Sequence, residues 1–195
     1  NTVPPISTPE GLARYRGEIV EAAPGLSPLP TFKLLPSLDP DDVPALIEAG
    51  AVAGKLYPAA VTTNAEDGFD RVEDAEPLFG ALEAAGAVLC IHAEAPEAGV
   101  FERERAYLPA VEGIVSRHPK PRSVVEHVSD AETVRFVEAM PDTVAATVTP
   151  HHLLYTVEDL LAHDYHVTIF NRGNHDNPFA DRDGVQHIEG DRRED

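Results

Sequence analysis

From about residue 29 onward, short apolar runs alternate with longer amphipathic segments. The runs Thr31–Leu35, Val52–Leu56, Val88–His92, Ser123–Val128 and Val144–Val148 are bounded by Gly, Pro or Asp. Brief, almost continuously apolar runs of this kind predict buried parallel strands. Helix signals lie between and before them. Thr8-Pro9-Glu10 supplies an N-cap and a proline at the first helical position, with Leu12, Tyr15 and Ile19 on one face. Asp39-Pro40 opens a second helix that stops at Gly50, and Val72, Ala75, Leu78, Phe79 and Leu82 mark a third that ends at Gly86. Leu108, Val111, Ile114 and Val115 carry helical spacing within 101–117. Ser129-Asp130-Ala131-Glu132 reads as a capping box for a helix running through Met140.

Alternating β and α units imply a parallel sheet, either open and doubly wound or closed as a (β/α)8 barrel. Five units fit here within about 150 residues, whereas a full barrel takes ~250. The expected class is therefore α/β, a partial (β/α)8 TIM-type barrel of about five consecutive units. After these units the pattern changes. Thr156-Val157-Glu158-Asp159 caps a short helix and Tyr165–Phe170 reads as a strand. Residues 171–195 are polar, charged and turn-rich, with poor order expected. The chain thus divides into a partial barrel over 1–156 and a divergent tail over 157–195.

Composition narrows the function classes. The 195 residues carry 34 Asp plus Glu against 15 Lys plus Arg, a formal net charge of −19. Such a surface repels phosphates, which argues against nucleic acid and anionic membranes as partners. Only Lys33, Lys55 and Lys120 are lysines, a pattern that fits either adaptation to high salt or an ordinary acidic cytosolic protein. Cys90 is the single cysteine, so no intrachain disulfide forms, and its apolar run predicts a buried structural thiol. No apolar run approaches the ~20 residues of a membrane span, and the first residues lack the pattern of a signal peptide. A cytoplasmic location is expected. The missing initiator Met suggests a piece of something longer.

Ligands in parallel α/β folds sit at the carboxyl ends of strands. Three consecutive strand ends carry Lys55 in AGKLYP, His92 in CIHAEA and His127 in VEHVSD. Neutral imidazole is a good zinc ligand. A buried lysine loses its proton more readily and, as a neutral amine, can take up carbon dioxide to form a bridging carbamate. Taken singly, a strand-end histidine more often makes a local hydrogen bond, and a strand-end lysine more often snorkels to the surface. Matching positions on successive strands favour the metal reading, although a register slip of one residue would turn any of the three away.

The strings NTVPPISTPEGLARYR, SLDP, KLYPAAVTTN, IHAEA, FERERAYL, VEHVSDAETVRFV and ATVTPHHLLY occur in the order found in dihydroorotases. Residues 1–156 thus resemble that family of metal-dependent cyclic amidohydrolases, specifically its shorter, stand-alone bacterial kind. The resemblance implies reversible hydrolysis of dihydroorotate to carbamoyl aspartate in pyrimidine biosynthesis. It implies that Lys55 is the catalytic carbamylated lysine bridging two zinc ions, and that His92 and His127 are ligands of the second zinc. It also implies that Thr62 and Thr63 belong to a loop closing over substrate, and that Asn1 binds the substrate carboxylate. Glu94 is either a hydrogen-bond partner behind a ligand or a plain surface glutamate. His151 and His152 of TPHH are expected to be structural.

The family's His-x-His strand, with its arginine, and its Gly-Thr-Asp segment have no match here. Ligands for only one zinc are complete, and weak or no activity is expected from the isolated chain. The stretch HVTIFNRGNHDNPFADRDGVQHIEGDRRED instead resembles an early part of NAD-dependent epimerases and dehydratases. No glycine-rich phosphate loop precedes it, so cofactor binding by Arg172 is not expected. A fused or rearranged reading frame would account for such a tail. Two rival readings stand beside the first. One is a non-catalytic metal-binding or assembly subunit, whose open sheet edges allow homo-oligomerisation. The other is a fragment of an NAD(P)-dependent oxidoreductase.

Overall fold

The computed structural model describes residues 2–154, 156 and 159, together with the backbone of 167–171 and 185–189. Asn1, Arg172 and the Val157-Glu158 part of the expected cap lie outside the described residues, as do Tyr165 and His166 of the expected last strand. Helix α1 (Pro9–Ala22) starts where its signals predict. The Thr8 side chain accepts a hydrogen bond from the Gly11 amide at 3.1 Å, and Pro9 loses nothing in the first turn. Helix α2 (Val43–Glu48) follows a 3-10 turn over Pro40–Asp42 that Asp39 caps. Helix α3 (Glu76–Ala85) follows a second such turn and ends at Gly86, whose φ of 64° suits a residue without Cβ. Helices α4 (Arg103–Arg117), α5 (Ala131–Glu138) and α6 (Pro150–Leu154) complete the set.

The expected capping box at Ser129 is corrected. Asp130 is the cap, accepting from the amides of Glu132 (3.1 Å) and Thr133 (3.3 Å). Ser129 is engaged elsewhere, its amide and hydroxyl both donating to Glu104 on α4. A long-range carboxylate has outcompeted the local cap.

The strands are β1 (Thr31–Lys33), β2 (Ala53–Leu56), β3 (Val88–Ile91), β4 (Ser123–Val125) and β5 (Val144–Ala146). All are parallel and lie in the order β1-β2-β3-β4-β5. Sequential neighbour order without a reversal is the order of a barrel wall, and it decides against a doubly wound sheet. Apart from β2, which ends at Leu56 as expected, the strands end one to three residues sooner than the apolar runs suggest. Single hydrogen bonds continue past the ends, such as His92 N–H to the Leu56 carbonyl and Glu126 N–H to the Ile91 carbonyl, both 3.0 Å. His92, Glu126 and His127 therefore sit where the chain leaves the sheet.

Alternation along the strands sorts the two faces. A Cβ at Gly54 would lie 2.9 Å from Leu34 Cδ2 and 3.1 Å from Leu82 Cδ2, so the Gly54 face of β2 packs on α3. Register carries that face to Phe32 and Leu34, to Leu89 and Ile91, and to Val125, all of them buried. They join Leu46, Phe79, Leu82, Val111 and Ile114 of the helices in one apolar core. The opposite face then carries Lys33, Lys55, Cys90 and His92, with Lys33 paired to Lys55 and Lys55 paired to Cys90.

Beyond α6, the backbones of β6 (Val167–Asn171) and β7 (Val185–Glu189) pair in parallel as a separate sheet. The run Val185-Gln186-His187-Ile188-Glu189 has β-branched residues suited to a strand, which the surrounding charge obscured. Among the described residues, no helix is long and apolar enough to cross a membrane.

Gly54→Val is expected to destabilise the fold by about 1–3 kcal/mol, because the added methyl groups press into the Leu34–Leu82 contact. Urea unfolding checks this; an unchanged midpoint would contradict the facing assigned to β2.

Candidate metal and substrate site

His92 and His127 meet face to face beyond β3 and β4. The Nδ1 atom of His92 and the Nε2 atom of His127 are 2.9 Å apart, and their ring centroids are 4.4 Å apart. His127 reaches this place because its backbone is left-handed, with φ 49°, and its amide donates to Thr147 Oγ1 at 2.8 Å. A non-glycine residue in that region is held there by its surroundings. One proton serves the two facing nitrogens. On the other side of the His92 ring, Nε2 lies 3.3 Å from Glu94 Oε1. That contact is not aligned as a hydrogen bond, which leaves Nε2 buried without a hydrogen-bond partner beside the Glu94 carboxylate. It favours the tautomer with hydrogen on Nε2, an assignment by network rather than by observation, and leaves the Nδ1 lone pair aimed at His127.

The electrostatics agree. Burial, then the neighbouring His92 and Lys55, push the His127 imidazole below its ordinary value, keeping it neutral near pH 7. Burial pushes the Glu94 carboxyl up, but His92, His127 and Arg103 together outweigh it and hold the group below its usual range. Two facing imidazoles backed by a carboxylate are a donor set that a zinc ion takes. Two zinc–nitrogen bonds in tetrahedral geometry span about 3.3 Å, so the pair fits a metal after opening by a few tenths of an ångström. No three His, Cys, Asp or Glu side chains converge on a metal position among the described residues. Lys55 is the neighbouring buried group.

Lys55 is buried on β2, and its ammonium pairs with Glu126, the residue before His127. Burial lowers its pKa, against the opposing pull of Glu126 and, more weakly, of Cys90 and Glu94. Tyr57 stands between Lys55 and the histidines, its ring 5.0 Å from Lys55 Nζ and 5.6 Å from the His92 centroid. Burial, then Glu126 and Cys90, raise the Tyr57 hydroxyl, so it stays protonated. Cys90 faces the same charges. Burial first, and Glu126 next, push its thiol up to about 11.

Thr62 and Thr63 do come to the site. With Tyr57, Asn64, His92 and His127 they line a cavity of about 420 Å³. Lys55 lies instead on a neighbouring cavity shared with Lys33, Tyr57, Ile6 and Tyr15. The threonines are carried by the segment 58–69, which returns to its start through Phe69 N–H to the Tyr57 carbonyl (3.0 Å) and Ala59 N–H to the Phe69 carbonyl (2.9 Å). Gly68 closes it, since a Cβ there would lie 2.6 Å from the Tyr57 carbonyl oxygen. His151 and His152 sit on the short α6, where their rings pack on each other at 4.3 Å, and neither lines the cavity. Glu126, Tyr57 and Lys33 were not singled out from sequence. The available signal was spacing, since Tyr57 lies two residues after Lys55, and Glu126 follows a strand end next to His127.

No family model matches the chain. Sequence comparison finds relatives along most of it. A dihydroorotase of Vibrio cholerae is 36% identical over 186 residues, and one of Pseudoalteromonas atlantica is 37% identical over 186 residues. In both pairs 90% of this chain is covered, against 54% of the relative. The chain is homologous to about half of a dihydroorotase. Among solved structures, Saccharomyces cerevisiae dihydroorotase in complex with 5-fluoroorotic acid superposes with a TM-score of 0.76 at 25% identity, covering 95% of this chain and 52% of that one. An L-hydantoinase from Arthrobacter aurescens shares the fold, with a TM-score of 0.70 at 19% identity over 82% of this chain and 40% of that one. The partial barrel of this dihydroorotase homologue, with its strands in sequential order, thus matches about half of the barrel in the yeast dihydroorotase.

The raised Cys90 pKa has a measurable consequence. At pH 8 a thiol with a pKa of about 11 is ionised about one part in a thousand, against about one in ten at the ordinary value of 9.0. Iodoacetamide is expected to alkylate Cys90 ~100-fold more slowly in the folded chain than in denaturant, and faster as pH rises toward 11. Equal folded and unfolded rates would contradict its burial beside Glu126.

Proposed function

We propose that this chain supplies the Lys55–His92–His127 part of a dihydroorotase site, acting on dihydroorotate and carbamoyl aspartate in pyrimidine biosynthesis in the cytoplasm. The observation carrying this reading is the facing pair of imidazoles under the Thr62–Thr63 loop, in a chain homologous to dihydroorotases. His92 Nδ1 and His127 Nε2 would hold a zinc ion, with Glu94 orienting His92 from behind. Lys55 would supply a further ligand as its carbamate. Its ammonium loses a proton to solvent, the neutral amine nitrogen bonds to the carbon of carbon dioxide as one C=O electron pair moves to oxygen, and loss of a second N–H proton to solvent leaves the carbamate anion. Burial favours the first step by weakening the ammonium. The carbamate and Glu126 carry like charge, so their present contact has to break for the ligand to form. A zinc ion bound there would supply a polarised carbonyl and an activated water.

Around it, Thr62 and Thr63 would bind and orient the substrate's polar groups, and the loop would exclude water. Asn1 remains a proposed carboxylate ligand. Small-molecule substrates, rather than nucleic acid or membranes, suit the charge of −19. The exposed Ala145 and Ala146 on β5 leave an edge through which copies of the chain could associate. The separate β6–β7 sheet supports a division of the chain near residue 156. This chain spans about half the length of the curated relatives it matches, and its residues account for one zinc rather than two, so little or no turnover is expected from it alone.

Purified from medium containing zinc and bicarbonate, the chain is expected to hold about one zinc, and Lys55→Ala and His127→Ala to lose it. Metal analysis by mass spectrometry checks this. A metal-free wild-type chain, or retention of zinc by His127→Ala, would sink the proposed ligand set.

A further inference from the structure

Lys33 plays no part in the site described so far, yet it is one of three lysines in the chain and is 7% exposed. It projects from β1 on the same face as Lys55, its direct partner in the ladder. Its ammonium crosses to the loop that carries Thr62 and Thr63. Nζ donates to the Asn64 carbonyl at 2.6 Å and to the Asp67 carboxylate, and it lies 5.4 Å from the centre of the Tyr57 ring. We propose that Lys33 is a latch, a positioning residue that holds the 58–69 loop down over the His92–His127 pair. The part concerning substrate rests on the dihydroorotase reading; the part concerning the loop does not.

Three features distinguish a latch from simple neutralisation of a buried charge. First, one of the two bonds goes to main chain. Asn64 adjoins Thr63 and has a left-handed backbone, with φ 57°, so fixing its carbonyl fixes the threonine tip. Second, the Asp67 side chain remains 47% exposed, so this carboxylate gives up part of its solvation to reach an ammonium that is 8% exposed. Third, the loop's own bonds are local, including Ala60 N–H to the Ala65 carbonyl (2.9 Å), Ala65 N–H to the Thr62 carbonyl (3.2 Å) and Gly68 N–H to the Ala65 carbonyl (3.0 Å). They shape the loop, and Lys33 reaches its tip from another strand. Lifting the loop would strand the ammonium beside Ile6, Tyr15 and Pro30, where an unpaired charge is unfavourable. Closure is thereby coupled to burial of Lys33.

The test is hydrogen exchange by mass spectrometry on the 195-residue chain, with and without dihydroorotate. Wild type is compared with Lys33→Met, Lys33→Arg and Asp67→Asn. Lys33→Met is expected to speed exchange across 59–69 by about tenfold or more, as loss of a charge-assisted bond implies, while β2 and β3 keep their protection. Asp67→Asn is expected to act in the same direction but less, and Lys33→Arg to restore most of the protection. Dihydroorotate should bind Lys33→Met about tenfold more weakly than wild type, with recovery in Lys33→Arg. Unchanged loop exchange in both Lys33→Met and Asp67→Asn overturns the latch, and so does acceleration spread equally over loop and sheet. Should Lys33→Met fail to fold, Asp67→Asn, which alters a half-exposed carboxylate, decides alone. Absence of dihydroorotate binding in wild type would refute the dihydroorotase reading, and the loop comparison would still decide the latch.

Discussion

The contact of Gly54 with Leu34 and Leu82 is the constraint on which the site depends. A strand has two faces and successive residues alternate between them. Once the absent side chain at Gly54 lets β2 settle on α3, Lys55 has to point the other way. Parallel register passes that decision along the sheet, to Lys33 on β1, to Cys90 on β3 and to His92 just beyond it. Apolar packing on one side thus determines which polar groups share the other. None of those polar groups contributes the packing that places it.

Collecting charged and titratable groups on one face of a largely buried sheet creates a second constraint, because each must find a partner. Two lysines in adjacent strands find different ones. Lys55 takes Glu126 from the end of β4, and Lys33 takes Asp67 and a carbonyl from the loop after β2. Both ammonium groups approach the Tyr57 ring. The His92 and His127 rings instead partner each other, and burial above all holds the His127 imidazole below its ordinary value. The same desolvation that weakens the Lys55 ammonium also suppresses the Cys90 thiolate, so one environment favours a reactive amine and disfavours a reactive thiol.

Much of this was legible in the order of residues. The Thr8-Pro9 start and the Gly86 stop depend on interactions within a few residues, and both stand where local rules put them. The five strands were legible because a buried parallel strand has to be apolar on both sides. Their ends were not, since an apolar run does not record where the ladder peels apart. Ser129 failed as a cap because Glu104, 25 residues earlier, binds it. The metal-type residues stood out by chemistry and position, and the family resemblance pointed to the same three.

By itself, then, the sequence determined the βα alternation, the strand-end placement of Lys55, His92 and His127, and membership in a recognisable lineage. These are properties of local period and residue type. Tertiary structure alone decided that His127 turns left-handed to face His92, that Lys55 answers to Glu126, and that Lys33 reaches the Thr62–Thr63 loop. Those pairings join residues 31 to 71 positions apart. Their partners are chosen by register and by the cost of leaving a buried charge alone, and neither leaves a mark in the spacing of the chain.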